Sequence, residues 1–158
     1  VQANTWHIYS DSDHAGDKLA DNARSRTGVM IMLNGMPIHW RSSKQPVTSI
    51  SSAQAEIYAM SETVRDSRLR LWIHEELGHK VDYPFHVLAD NAAGISFQQA
   101  TCTASKLRGI FDCRDQWVQE LQDSRICKAV KVLTTKNLAD MFTKCLTAKV
   151  RNTLDAEL

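Results

Sequence analysis

Ala53 to Leu77 is a stretch of twenty-five positions with neither glycine nor proline. As a helix it spans roughly 37 Å, the width of a whole small domain, so the rest of the chain must be arranged around it. Its start is marked by Ser51 and Gln54, which stand in the S-x-x-Q spacing of a capping box. Gly78 follows the last helical position, where a left-handed residue is needed to close the helix. Ile57, Met60, Val64 and Leu71 recur at helical spacing, and Leu69, Trp72, Ile73 and Leu77 form a second apolar face.

The segments before the helix have a different period. WHIYSD (6–11) is aromatic and β-branched and predicts a first strand, followed by a polar loop over 12–26. TGVMIML (27–33) and MPIHWRS (36–42) flank Asn34-Gly35, the dipeptide that most favours a two-residue hairpin. PVTSIS (46–51) predicts a further short extended piece. After the helix, FHVLAD predicts a buried strand ending at Asp90, NAAGISFQQ a short helix, 105–122 another helix, 126–135 a strand and 136–146 a last helix. The last helix places Leu138, Met141, Phe142 and Cys145 on one face. The order β-β-β-α-β-α-α-β-α predicts an α/β domain. It has a five-stranded mixed sheet, the first three strands antiparallel, flanked by helices. The crossover through the long helix makes the first and fourth strands parallel neighbours, with their C-terminal ends together. Sheets of this kind place ligands at those ends.

Composition excludes several classes. A 158-residue chain is long enough for one domain with a real core, and its hydrophobic fraction of 43% is ordinary. With a formal net charge of +1, any nucleic-acid contact must come from local patches and not from a global field. There is no apolar run of membrane-spanning length and no signal-peptide pattern. Cys102, Cys113, Cys127 and Cys145 form no C-x-x-C pair, and no two histidines form an H-x-x-x-H pair on a helix, so reduced thiols and no zinc site are expected.

Four acids fall at suggestive places. Asp11 ends the first strand, Asp90 ends the fourth, Glu56 lies one turn into the long helix and Asp140 lies early in the last one. Singly, each reads equally well as a cap or a surface residue. Together, carboxylates brought to one place repel one another and raise each other's pKa unless cations sit among them. Hard oxygen donors select Mg²⁺, with Mn²⁺ as a substitute. Two such ions about 4 Å apart can clamp both the attacking and the leaving oxygens of a phosphodiester. On this reading Asp11 bridges the ions, Glu56 and Asp90 complete one side, and Asp140 completes the other. No Ser/His/Asp or Cys/His set and no Walker-type glycine loop competes.

The stretches YSDSDHAGD (9–17), RSRTGVMIMLNGMPIHWRSSKQPVTSISSAQAEIYAMSE (24–62), LADN (88–91) and NLADMFTKCL (137–146) carry a resemblance to a known family. Together they resemble the ribonuclease H domain of copia-type LTR retrotransposon polyproteins, over most of residues 6–146. The resemblance implies the ribonuclease H-like fold and hydrolysis of the RNA strand of RNA/DNA hybrids during reverse transcription. It also implies two Mg²⁺ ions on Asp11, Glu56, Asp90 and Asp140. It places the domain downstream of a reverse transcriptase in one polyprotein, which accounts for a chain that opens on Val1 without Met. It further implies a cytoplasmic location in a retroelement particle. One domain over 1–158 is expected, with a core at 6–146, a tail at 147–158 and a monomeric state. SKLRGIFDCRDQW (105–117) departs from the basic, histidine-containing stretch usual there, and 124–139 lack the histidine that many relatives carry before the last aspartate.

Further positions are weighed for substrate contact. Asp13 either supports the site or stabilises a turn. Asn91 and Gln45 suit an RNA 2′-OH, or a cap and a surface position. Arg41, Lys44, Lys106 and Arg108 suit phosphates, or an exposed charged surface. Arg65, Arg68 and Arg70 are expected on a solvated face, and Trp6, Trp40, Trp72 and Trp117 in the core. The alternative to a nuclease is a non-catalytic module that positions nucleic acid for a reverse transcriptase. An integrase-type relative is disfavoured because its glutamate follows both strand-borne aspartates, whereas Glu56 lies between Asp11 and Asp90.

Overall fold

The computed structural model describes residues 4–14, 24–92, 95, 113–144 and 152. Strands β1 (Trp6–Asp13), β2 (Arg26–Leu33) and β3 (Met36–Lys44) precede helix α1 (Ser52–Glu76). Then come β4 (Phe85–Ala89), helix α2 (Cys113–Asp123), β5 (Cys127–Lys131) and two short 3-10 turns, Thr134–Lys136 and Leu138–Phe142. The sheet order is β3-β2-β1-β4-β5. The first three strands are antiparallel, and β4 runs parallel to both β1 and β5. This is the mixed five-stranded sheet that the residue pattern predicts.

Local chemistry explains the elements. Asn34 and Gly35 both take positive φ (52° and 80°), the backbone of a tight hairpin whose twist matches its strands. At the head of α1, the Ser51 side chain accepts from Gln54 N (3.2 Å), while Gln54 Oε1 accepts from Ile50 N (2.8 Å). Gly78 ends the helix at φ +84°. The helix lies on one sheet face, where Met60, Val64 and Leu71 pack with Ile8, Val29, Ile31 and Val87. The other face carries Met30 and Met32, covered by Leu138, Met141 and Phe142. Val29/Ile31 and Met30/Met32 face opposite ways because side chains alternate along a strand.

Several expectations need correction. β1 runs two residues past Asp11, because Ser12 and Asp13 keep register with Thr27 and Arg26 of β2. Residues 46–51 form bends and not a strand, since Pro46 offers no N–H and Gln45 turns its side chain inward. β5 is shorter than expected: β4 stops at Ala89, whose carbonyl accepts the last bond from Val132 N (2.9 Å). The expected α-helix over 136–146 is, in its described part, the two 3-10 turns. Asn137 interrupts it by accepting from Ala139 N through its own side chain (3.3 Å). Trp40 and Trp72 are exposed and are not core anchors. The predicted short helix after Asp90, the first part of the one over 105–122, and the tail at 147–158 fall mostly or wholly outside the described residues. Among those residues, no helix is long and apolar enough to cross a membrane.

Candidate metal centre

Asp11 and Asp90 reach one place because β1 and β4 are parallel neighbours. Glu56 joins them from the first turns of α1. Each of the three offers an oxygen ligand atom within 4.8 Å of the others. Asp11 and Glu56 are buried, and Asp90 is half-buried just past the end of β4. Asp140, also buried, comes from the Leu138–Phe142 turn and stands against Asp11 through charge rather than within the same triad.

The electrostatics show a cluster that is unfavourable by itself. Burial raises the Asp11 carboxyl to about 8, and the charges of Asp140 and Glu56 add to the effect. Burial likewise raises Glu56 to about 7, with the Asp90 charge adding to it. Hydrogen bonds oppose both shifts: the Asn91 side chain bonds Glu56, and the Thr143 hydroxyl bonds Asp11. Lys144 places Nζ 2.8 Å from Asp140 Oδ1 and 3.5 Å from Asp11 Oδ2. Burial works against its charge, but the Asp140 hydrogen bond and the surrounding carboxylates win, and the ammonium is held well above its ordinary pKa.

This donor set fits a hard divalent cation. Three carboxylates face one point, two of them buried at an energetic cost that a positive ion removes. Asp11, Glu56 and Asp90 could hold one ion, and Asp140 extends the acidic surface on the far side of Asp11.

The scaffold under Asp140 is tightly built. Asn137 is fully buried and donates to Ser10 O (3.1 Å), tying the 3-10 turn to β1 beside Asp11. Gly28 pairs with Asp11 across the β1–β2 ladder. A Cβ there would stand 2.6 Å from Ala139 O and 2.7 Å from Thr143 Cγ2, so only glycine lets the turn lie this close. Ser42 Oγ donates to Phe142 O and anchors the same turn to β3 (2.5 Å).

The other predicted site residues separate. Asn91 touches Glu56 and belongs to the centre. Asp13 ends β1 opposite Arg26 and is not part of the triad. Gln45 is buried and spends its amide inside the protein, donating to Thr27 Oγ1 (3.1 Å) and Ala55 O (2.9 Å) and accepting from Ser49 Oγ (3.0 Å). It supports the first turn of α1, next to Glu56. Arg41 pairs with Glu62 (3.1 Å) and Asp66 (2.9 Å) on α1, which leaves it joining β3 to the helix. Lys44 is exposed at the end of β3. Lys106 and Arg108 lie outside the described residues. Sequence reasoning missed Gly28, Asn137, Thr143 and Lys144. A glycine inside the apolar run TGVMIML, and a lysine four residues after Asp140, were the available signals.

Comparison with known proteins agrees with this geometry. No family model matches the chain. It is 33% identical over 140 residues to the Retrovirus-related Pol polyprotein from transposon TNT 1-94 of Nicotiana tabacum, a match covering 86% of this chain and 10% of that protein. It is 30% identical over 140 residues to the Pol polyprotein from transposon RE1 of Arabidopsis thaliana, covering 89% of this chain and 9% of that protein. The chain thus spans about a tenth of the length of these curated relatives. Among solved structures, LC11-RNase H1 in complex with RNA/DNA hybrid superposes with a TM-score of 0.60 at 18% identity, covering 88% of this chain and 94% of that one. The homologues are copia-type retrotransposon Pol polyproteins, and the mixed five-stranded sheet is that of the ribonuclease H-like fold.

Proposed function

We propose that this domain hydrolyses the RNA strand of RNA/DNA hybrids in a reaction that depends on two divalent ions, Mg²⁺ in the cell. The observation that carries the reading is the convergence of Asp11, Glu56 and Asp90 on one point at the C-terminal end of two parallel strands. Divalent ions held there would stabilise charge on the attacking and leaving oxygens of a phosphodiester. Asp11, Glu56 and Asp90 are suited to one ion, and Asp140 with Asp11 to the other. Thr143 orients Asp11, while Asn91 orients Glu56. Lys144 balances the Asp11–Asp140 side, keeping those carboxylates together in the absence of cations.

The hybrid as substrate is supported by the likeness to LC11-RNase H1, a protein solved with RNA/DNA hybrid. The Pol polyprotein relatives support action within a longer polyprotein, in which we place a reverse transcriptase upstream of this domain. Net charge near neutrality predicts weak, salt-sensitive hybrid binding by the domain alone, because phosphate contacts supply most such affinity.

The test is cleavage of a labelled RNA/DNA hybrid beside single-stranded RNA, duplex RNA and duplex DNA, with Mg²⁺, Mn²⁺ or chelator. The expected result is cleavage of the hybrid's RNA strand alone, abolished by chelator and by Asp90→Asn. No cleavage in either metal, by the domain or by the longer product, would sink the nuclease reading in favour of a module that positions nucleic acid.

A further inference from the structure

The second half of α1 carries a surface that the metal centre does not use. Leu69, Trp72, Ile73 and Leu77 follow helical spacing and lie 53%, 57%, 46% and 70% exposed. They flank the outer side of the helix, opposite Ser67 and Leu71, which are buried on the sheet side. A surface helix of a self-sufficient domain keeps its apolar residues on one stripe, and this one has two. Contiguous exposed apolar side chains that include a tryptophan mark contact surfaces.

The start of the described chain lies beside them. At the N-terminal end, Asn4 donates from Nδ2 to His74 Nε2 (2.9 Å), and the Trp6 ring meets the His74 ring edge-on at 5.2 Å. His74 sits on α1 between Ile73 and Leu77. Asn4, the first described residue, therefore lies within about a helical turn of the stripe. The opposite end of the described core, Thr143 and Lys144, lies beside Asp11, five residues or roughly 17 Å further along β1. In relatives about nine-tenths of the polyprotein lies outside the matched region. A covalently attached preceding segment meets the stripe at high effective concentration, so even a modest interface forms.

We infer that the exposed α1 stripe Leu69–Trp72–Ile73–Leu77 is the surface on which the polyprotein segment immediately N-terminal to this domain packs. The inference rests on the polyprotein reading but not on catalysis. The occupant presents an apolar surface to a helix face, and the Asn4–His74 and Trp6–His74 contacts set where the chain crosses. The stripe lies away from Asp11, Glu56 and Asp90, so packing there leaves the acids accessible.

The test compares the domain with the longer natural product that includes its preceding segment, both labelled with 5-fluorotryptophan. The Trp72 fluorine resonance is assigned with Trp72→Phe, and its solvent isotope shift reads exposure. A full isotope shift is expected in the domain alone, with loss of most of it in the longer product. Ile73→Asp should restore it in the longer product and leave the domain alone unchanged. Hybrid cleavage is measured on the same samples. A Trp72 resonance equally exposed in both proteins overturns the inference, as does a natural product with no preceding segment. So does a Trp72 shielded in the domain alone through a concentration-dependent dimer, which would make the occupant a second copy. Shielding of Trp72 in a product that cuts no hybrid keeps the interface and removes the nuclease reading; cleavage with Trp72 still exposed does the reverse.

Discussion

The two halves of α1 are built from the same helix and sit in different surroundings. From Ala55 to Val64 nearly every side is covered: Ile57, Met60 and Val64 face the core, and even Glu56, Glu62 and Thr63 are buried. From Arg65 onward only Ser67 and Leu71 remain buried, while Leu69, Trp72, Ile73 and Leu77 lie in the open. The first half is held on several sides: Gln45 bonds Ala55 O, Arg41 pairs with Glu62, and the Thr63 hydroxyl donates to Ser10 Oγ (3.0 Å). A carboxylate carried there is fixed in place and desolvated, which suits it to a metal ion. The second half is free on its outer side, which suits it to a partner.

Glu56→Gln separates the halves most sharply. It is expected to lower metal-dependent cleavage of a hybrid by about a thousandfold or more, while far-ultraviolet circular dichroism stays unchanged. Retained cleavage in that variant would break the distinction between the halves. Next come the neighbours Leu71 and Trp72, one 1% and the other 57% exposed. Leu71→Ala should cost about 2–5 kcal/mol in urea unfolding. Trp72→Ser should change the stability of the domain alone by no more than about 0.5 kcal/mol. Equal losses would mean that the outer stripe already has a partner within the domain.

Gly28→Ala probes the seat of Asp140. The added methyl meets Ala139 O and Thr143 Cγ2, so about 1–3 kcal/mol of stability should be lost. Cleavage should fall further than stability alone explains, because the turn carrying Asp140 is displaced. A stable, fully active variant would show that this turn tolerates displacement.

The smallest expected effect is on pH dependence in chelator. Asp11 and Glu56 are raised to about 8 and about 7, mainly by burial. Because folding makes both weaker acids, their contribution is most favourable below the ordinary carboxylate range. It is lost progressively as pH rises toward those folded values. Asp11→Asn removes one of the buried charges. Its melting temperature without metal should therefore exceed the parent's by a few degrees near about pH 8, and the gap should close toward about pH 4. A gap that stays constant with pH would place the origin of any stability difference elsewhere.

The first half of α1 was also the more legible in sequence. The capping spacing at Ser51, the hairpin dipeptide Asn34-Gly35 and the alternation along β2 are local signals, each tied to a backbone geometry. They place Asp11, Glu56 and Asp90 on elements whose ends must meet once β1 and β4 are parallel. What stayed hidden depends on contacts distant in sequence. Gln45 and Arg41 look like exposed loop and strand residues until Ala55, Glu62 and Asp66 come against them. Leu138, Met141 and Phe142 satisfy a helical pattern, yet Asn137 binds Ser10 and holds the segment in short 3-10 turns. Trp40 and Trp72 are apolar at plausible core positions, and only the packing shows that nothing in the described core covers them.

Direct titration of the domain with Mn²⁺, followed by calorimetry and by proton release, tests the central claim that buried repelling acids are assembled to hold a cation. Binding to the parent with proton release near about pH 7, and its loss in the Asp11→Asn and Glu56→Gln variants, is the predicted result. Failure to bind at millimolar Mn²⁺, or binding that those variants leave unchanged, would contradict it.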